Sequence, residues 1–304
     1  MSFSITSNYS GEHAGQYIAA ALKSATSLEY LTVLENVKYK RNITKVAGAS
    51  LIADASCDFT DAGTLTLTER VLNPKELQIN VDLCKKDLLA DWQAAQMQAG
   101  AHNRDMSGDF TAFVVSYLSQ TIADSVETSI WNGLDSNGGE FTGFMQAGNG
   151  LFENDTAIVE ADNSGGAGNA FLTSNIIANL QTLVAAVPSA VYTKEDLYIY
   201  MSPKSYRLYI SAISALSAFP FNHMGQYTPE FEGVKIAVCS GMVDDKMCAA
   251  QRSNLFFGTD LLSDHTEIRM LDMGDLDGSD NIRVVAKFTG GVQHAQGGDI
   301  VRLD

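Results

Sequence analysis

Strict alternation of polar and apolar residues marks two stretches of the chain. One reads T-L-T-L-T from Thr64 to Thr68, and the other follows Pro74 with Leu77, Ile79, Val81 and Leu83 spaced by two. Because successive side chains of a strand point to opposite faces, this period of two predicts two strands, each with one apolar face.

The first of these strands is predicted to close a long hairpin over residues 49–71. The turn is Asp61-Ala62-Gly63, since Asp and Gly favour turns, and the incoming strand runs through Leu51, Ile52 and Phe59. A two-stranded ribbon without a third strand is barely stable by itself. A projecting hairpin therefore has to be held by something outside the ribbon.

A helical period follows in residues 109–131. Apolar residues fall on one stripe at Phe110, Val114, Tyr117, Leu118, Ile122, Val126 and Ile130. Ser107 or Asp109 can cap the start, and Asn132-Gly133 can end the helix. At 1.5 Å per residue the helix would be roughly 35 Å long, which suits a flat, elongated subunit.

The rest of the pattern completes an α+β fold. Residues 28–46 mix β-branched, aromatic and basic residues and predict an extended arm whose partners lie elsewhere. Further helices are predicted at 12–22, 85–97, 173–187 and 202–220, and further strands at 140–145, 196–201, 234–239, 246–250, 267–271, 282–288 and 300–303.

The net charge of the chain argues against a protein that binds nucleic acid tightly. The net charge is −16, and affinity for phosphate backbones comes from Lys and Arg. The one dense basic run is Lys38, Lys40, Arg41 and Lys45, which can contact phosphate, contact an acidic neighbour, or form a solvated face. Only 18% of residues are charged, as in a subunit covered by other subunits or in a protein rich in Ala, Ser and Thr.

The cysteine pattern and the chain start point to a reducing compartment. Cys57, Cys84, Cys239 and Cys248 form no C-x-x-C pair and no disulfide framework. The first residues lack a secretory signal pattern, and no apolar run approaches the length of a membrane span. We therefore expect synthesis in a cytoplasm and no membrane partner.

No motif predicts catalysis, a cofactor or a firm metal site. The glycines of Gly165–Gly168 lack the spacing of a phosphate loop. Asp275, Asp277 and Asp280 alternate like calcium ligands, but without the Glu of a calcium loop they favour a turn, with a weak cation site as the alternative. The five histidines are far apart in sequence, and no G-x-S-x-G elbow occurs.

The order of these parts resembles the Hong Kong 97-type capsid fold of tailed bacteriophages, which encapsulins also use. V-L-N-P-K-E-L-Q-I-N-V-D-L-C (Val71–Cys84) looks like the strand that leaves the family's extended loop, and residues 109–131 look like its spine helix. E-F-T-G-F-M (Glu140–Met145) looks like the strand after that helix, and S-N-L-F-F-G-T-D-L (Ser253–Leu261), E-I-R-M-L-D-M and N-I-R-V-V-A-K-F look like the C-terminal strands. The resemblance covers nearly the whole chain.

The resemblance implies a division into four parts. These are an N-terminal arm (1–45), an extended β-hairpin loop (46–71), a peripheral domain with the spine helix (72–190 and 264–290), and an axial domain (191–263 and 291–304). It also implies that the hairpin lies across an adjacent subunit. The interface residues expected from this are Leu51, Phe59, Asp61, Leu65 and Leu67 of the hairpin, the basic residues Lys38, Lys40, Arg41 and Lys45, and Phe219, Phe221 and His223 at the axial tip, where rings of five or six subunits meet.

The sequence departs from the family in two ways, and each departure argues against a feature that some members have. The stretch before the hairpin is too short for the N-terminal scaffolding segment that some members cleave off, which implies a separate scaffold protein or none. Residues 46–68 contain no Lys, so crosslinking through a hairpin Lys is not expected. Because Asp54, Asp58 and Asp61 make the hairpin acidic, we hypothesise that it docks near a neighbour's basic cluster.

The function expected from the resemblance is that of a major capsid protein, not an enzyme. Such a chain would assemble into the icosahedral head around double-stranded DNA, without sequence-specific binding, and reside in the virion. Hexamers and pentamers of itself, a portal, a scaffold protein and decoration proteins would be its partners. The alternatives are an encapsulin-type compartment shell and a soluble hydrolase or ligand-binding protein.

Overall fold

The structure, a computed structural model, describes residues 26–37, 39–49, 52, 54–55, 57, 63–84, 108–163, 170–215, 229–259, 268–273, 278–279 and 281–304. The helices are α1 (Gly108–Asn132), α2 (Ile176–Ala186), α3 (Ser189–Tyr192) and α4 (Pro203–Ala215). The strands are β1 (Thr32–Leu34), β2 (Arg41–Ala49), β3 (Thr64–Leu72), β4 (Lys75–Cys84), β5 (Val159–Glu160), β6 (Leu197–Met201), β7 (Glu230–Phe231), β8 (Val234–Val238), β9 (Met247–Gln251), β10 (Leu255–Gly258), β11 (Ile268–Asp272), β12 (Asn281–His294) and β13 (Val301–Leu303). Short 3₁₀ helices span Thr26–Tyr30, Arg252–Asn254 and Gly297–Asp299.

A long central strand organises the first sheet. Strand β12 pairs along its length with β4, and on its other side first with β11 and then with β10, which carries β1 at the edge. The alternation in β4 is confirmed, because Leu77 is buried in the core while its neighbours Glu76 and Gln78 are exposed. The opposite face of this sheet carries charges such as the Asp82–Arg283 ion pair.

The second sheet has six strands in the order β5-β13-β9-β6-β8-β7, and both of its faces are buried. The side chains of strand β6 alternate between these two faces. Leu197, Ile199 and Met201 pack with helices α2 and α4. Tyr200 points to the other side, into a core that also contains the second half of α1 and residues of the first sheet. A strand covered on both faces needs apolar residues at nearly every position, as L-Y-I-Y-M provides.

Helix α1 is the long helix that the apolar stripe predicts. Its second half lies in the core, where Ile122, Val126, Ile130 and Trp131 are buried. The helix therefore joins the two sheets through one shared core.

The segment Glu140–Met145 is not a strand, although its sequence predicts one. The N–H of Phe144 donates to the carbonyl of Ile130, and that of Met145 donates to the carbonyl of Trp131. Because the last carbonyls of a helix lack partners within it, this segment finds its hydrogen bonds at the end of α1 instead of at a neighbouring strand.

Part of the predicted arm belongs to the body of this chain. Strand β1 pairs in parallel with β10, from Thr32↔Phe256 to Leu34↔Gly258. Leu31 and Val37 are buried beside it. The first part of the predicted arm therefore finds its partners in a distant segment of the same chain, and its apolar side chains complete this core.

The sheets group the chain differently from the ranges that the resemblance implies. Strand β10 lies in the first sheet, although its residues fall in the range assigned to the axial domain. Helix α2 packs on the second sheet, although its residues fall in the range assigned to the peripheral domain. The four-part division itself stays a prediction. The helices predicted at 12–22 and 85–97 lie outside the described residues.

Candidate assembly surface

Strands β2 and β3 form a separate two-stranded hairpin. They pair antiparallel from Arg41↔Leu72 to Ala49↔Thr64. The first strand thus begins at Arg41, well before the predicted start at residue 49, and Ile52 lies outside any strand. Asp and Ser recur between residues 50 and 61, and these residue types favour turns over strands.

One face of the hairpin carries four exposed apolar side chains, and Glu69, which accepts a hydrogen bond from the Asn42 amide, lies among them between Leu67 and Val71. Val46, Leu65, Leu67 and Val71 share this face, because Val46 lies directly opposite Leu67 and the others alternate along β3. Their side chains are 57%, 58%, 64% and 44% exposed, respectively. We call these four residues the apolar hairpin face. Clustered exposed apolar residues of this kind mark an interaction surface.

The other face of the hairpin is polar and basic. It carries Thr64, Thr66, Thr68 and Arg70 of β3, and Lys45 lies directly opposite Thr68. The two faces therefore differ: a partner that covers the ribbon meets four apolar side chains and the Glu69 carboxylate on one side, and hydroxyl and cationic groups on the other. Leu65 and Leu67, predicted as interface residues, both lie on the apolar side, and their role at an interface stays a prediction.

The base of the hairpin is fixed to the body of the chain. Leu72 is completely buried, and its side chain fills the space beside the Cα of Gly258, where a Cβ would collide with it. The Gln293 amide donates to the carbonyl of Val71 at 3.1 Å. Arg70 Nη2 lies 2.5 Å from Asp155 Oδ2. The hairpin therefore projects from a base held by packing, a hydrogen bond and an ion pair.

Two residues of the basic cluster belong to the hairpin rather than to the segment before it. Arg41 and Lys45 lie in β2, Lys40 is exposed just before it, and Lys38 is outside the described residues. The inference that the hairpin offers no Lys was wrong, because Lys45 is on its first strand. Asp54 lies between the same two strands, and the hypothesis that the acidic residues of one hairpin dock near a neighbour's basic cluster stays a prediction.

A buried carboxylate links the segment at Ser27 to helix α1. Glu127 of α1 accepts hydrogen bonds from the Ser27 N–H at 3.0 Å, the Ser27 hydroxyl at 2.6 Å and the Gly241 N–H at 3.1 Å. The Trp131 indole N–H donates to the Ser27 hydroxyl at 2.6 Å. Both Ser27 and Glu127 are fully buried. Three donors on one carboxylate offset the cost of burying it.

The sequence reasoning missed this cluster. Glu127 sits three residues before Ile130 and four before Trp131, which places it beside the apolar stripe of the helix. An acidic residue at such a position was the available signal. Its partners Ser27 and Gly241 are distant in sequence and carry no pattern that would identify them.

The remaining predicted residues lie outside the described part of the chain. They are Leu51, Phe59, Asp61, Phe219, Phe221 and His223, together with Asp275, Asp277 and Asp280. Within the described residues, no group of three His, Cys, Asp or Glu side chains is placed to hold a metal ion. No helix in that part of the chain is both long and apolar enough to cross a membrane.

Two of the cysteines are placed as core residues. Cys239 and Cys248 are buried, and burial raises the pKa of both thiols above the ordinary value. Cys57 is exposed and Cys84 is partly exposed.

A shallow cleft of about 400 Å³ lies at Tyr192, Lys194, Glu195 and Lys235, and no His, Cys or Ser is among the described residues that line it.

We expect thiol labelling of the native chain to follow this burial. Cys57 should react first with a thiol-specific reagent, because thiolate is the reactive form and the raised pKa keeps Cys239 and Cys248 protonated. Those two should react only after unfolding. Mass spectrometry of labelled peptides measures this, with Cys57→Ser as the control. Fast labelling of Cys239 in native protein would contradict the burial described here.

No protein-family model matches the chain, and no curated protein matches it. Solved structures do match over nearly the full length. The capsid of Myoviridae phage XM1 is 12% identical, with a TM-score of 0.61, and the match covers 99% of this chain and 98% of that one. The capsid of a native GTA particle is also 12% identical with a TM-score of 0.61, over 98% and 95% of the two chains.

A third match is the satellite phage P4 procapsid including its size determination (Sid) protein. It is 8% identical, with a TM-score of 0.53, over 91% of this chain and 93% of that one. Identities this low establish the fold alone. The chain therefore has the fold of these capsid proteins, and the α+β, Hong Kong 97-type capsid fold predicted from the sequence is confirmed.

Proposed function

We propose that this chain is the shell-building subunit of a tailed-bacteriophage head, its major capsid protein. Copies of it assemble into an icosahedral shell that encloses double-stranded DNA, and its place is the virion. The role is structural and not enzymatic. The match to capsid proteins over nearly all of both chains supports this proposal, and the comparisons give no support to an encapsulin or a soluble hydrolase.

The single observation that carries the proposal is the exposed apolar hairpin face. An isolated ribbon gains little from two strands alone, and this one leaves four large apolar side chains in water. Burying one Leu side chain contributes about 1.5–3 kcal/mol. Contact with another copy of the chain would therefore stabilise both the hairpin and the assembly.

The charge of the chain fits a container for DNA. A net charge of −16 supplies no general attraction for phosphates. The interior surface would then confine the genome without holding it at particular sites. This agrees with a shell whose cohesion comes from contacts between subunits.

The partners of the shell follow from the same proposal. The chain binds copies of itself, in rings of five and six, with Phe219, Phe221 and His223 near the ring axis. A portal, a separate scaffold protein and decoration proteins are further partners. The P4 procapsid structure includes a size determination protein, which supports an external protein that guides assembly.

Expression of the full chain tests the proposal directly. We expect shells, tubes or rings of subunits in negative-stain micrographs, with or without a co-expressed scaffold protein, because the apolar hairpin face requires cover. These particles should persist in molar salt, since apolar burial is not screened as ion pairs are. A stable monomer at every concentration, salt level and scaffold combination would refute a shell-building role.

A further inference from the structure

One carboxylate at the hairpin base has two cationic or potentially cationic partners. Asp155 Oδ2 lies 2.5 Å from Arg70 Nη2 and 2.9 Å from His294 Nε2. Arg70 belongs to β3, Asp155 to the segment before β5, and His294 is the last residue of β12. One oxygen of Asp155 thus contacts both the hairpin, through Arg70, and the central strand of the first sheet, through His294.

His294 is held in the neutral form by this arrangement. Its Nε2–H donates to Asp155, which leaves the Nδ1 lone pair buried with no hydrogen-bond partner in the described structure. The ring is almost completely buried, and Phe152 packs edge-on against it with 5.4 Å between ring centroids. A proton on Nδ1 would therefore create a buried N–H with no acceptor.

The Asp155 carboxylate is held in one position by its neighbours. A Cβ at position 297 would collide with Asp155 Oδ2, so Gly297 permits this close approach. The other oxygen, Oδ1, accepts the N–H of Ala157 at 3.1 Å. If His294 became a cation, its charge would repel the Arg70 guanidinium, which contacts the same fixed oxygen, and Arg70 is the group carried by the projecting hairpin.

We propose that Arg70, Asp155 and His294 form an acid-released latch on the hairpin. Proton uptake by His294 favours a state in which the imidazolium keeps Asp155 and Arg70 leaves it, so that the hairpin can pivot about its base. Asp155 and Arg70 are the charged groups that act on His294 from the elements around it. The latch lies within one chain, and it does not depend on the proposed function.

The sign of the pH effect follows from the pKa values. Burial lowers the pKa of His294 below its ordinary 6.5, the Asp155 hydrogen bond opposes this, and the charge of Arg70 adds to it. The latched state therefore has its full stability above the pKa that His294 has in the released state, and it loses stability as the pH falls from there through the lowered pKa of the latched state. Burial also opposes ionisation of Asp155, but the hydrogen bonds from His294 and Ala157 and the charge of Arg70 outweigh it. The pKa of Asp155 thus stays below 3.8, and this group remains charged in mild acid.

A distance measurement between hairpin and body tests the latch. The full chain would carry spin labels at Thr64→Cys on the hairpin and Glu195→Cys on the body, with Cys57 and Cys84 replaced by Ser. We expect a narrow distance distribution at about pH 7.5 and a broader or shifted one at about pH 5.5. Because one proton is linked, the ratio of latched to released chains should change by at most about tenfold per pH unit.

Three variants separate the latch from a general loosening in acid. His294→Gln keeps a donor toward Asp155 but does not titrate, so its distribution should stay narrow at both pH values. Arg70→Gln should be released at both pH values and should raise the pKa of His294, read from its NMR titration. Lys45→Gln removes a charge from the same hairpin face without touching Asp155, and it should behave as the unaltered chain does.

The unaltered chain alone can overturn the proposal. If its distance distribution is the same at both pH values, the latch does not exist. A pH response in His294→Gln equal to that of the unaltered chain would also overturn it, since the titrating group would then lie elsewhere. Should His294→Gln fail to fold, the midpoint of the distance change has to coincide with the pKa of His294 from NMR, and a mismatch counts against the latch.

Discussion

Leu65→Asp and Leu67→Asp are each expected to abolish shell formation while leaving the subunit folded. Both side chains are more than half exposed on the apolar hairpin face, so a carboxylate there costs the isolated chain almost nothing. In an assembled shell the same carboxylate would be buried against a neighbour without a partner. That cost is several kcal/mol per subunit contact and is repeated around the shell.

Thr64→Asp is the matched control, because it adds the same charge to the opposite face of the same strand. Sedimentation and negative-stain microscopy report assembly, and circular dichroism with thermal melting reports folding. We expect Thr64→Asp to assemble and both Leu variants to stay unassembled, with melting temperatures close to that of the unaltered chain. Normal shells from Leu65→Asp and Leu67→Asp would remove the apolar hairpin face from the interface.

The second large effect is expected from Glu127→Ala, which should destabilise the folded chain by about 3–5 kcal/mol. The change leaves the N–H groups of Ser27 and Gly241 without their acceptor and opens a space beside Trp131. Buried donors without partners cost about 1–3 kcal/mol each. The free energy of unfolding in urea, measured on unassembled chain, is the quantity to compare.

Gln120→Ala serves as its control on the same helix, since residue 120 is exposed and should change the free energy of unfolding by less than about 0.5 kcal/mol. Ser27→Ala should fall between the two variants, because it removes one donor and the acceptor of the Trp131 indole. Equal stability of Glu127→Ala and Gln120→Ala would show that the arm is not held through this carboxylate.

The sequence predicted those elements whose periodicity is local. Helix α1 and strand β4 were found because one apolar face recurs at a fixed spacing over many residues. The hairpin was found from the alternation in Thr64–Thr68, but its other strand was misplaced. The segment 41–49 has a weak alternation, and its register is set by pairing with β3 rather than by its own residues.

Contacts between distant segments were beyond the reach of pattern reasoning. The bond between Asp155 and His294 joins residues 139 positions apart. Ser27 and Glu127 are 100 positions apart. The topology of the two sheets brings such partners together, and a single Asp, Ser or His has no local sequence pattern that predicts its partner. The partner of β1 could not be predicted for the same reason, since β10, the strand that pairs with it, lies near the other end of the chain.

The docking of residues 26–34 has a consequence for synthesis. The Thr32 hydroxyl donates to the carbonyl of Arg252, 220 residues later, and β1 has no strand to join until β10 exists. At about 5–20 residues per second, a ribosome needs roughly 10–45 s to make that intervening length. During this time the nascent N-terminal segment and the apolar hairpin face are both without their final cover. The order of translation thus gives chaperones a defined interval in which to act on this chain.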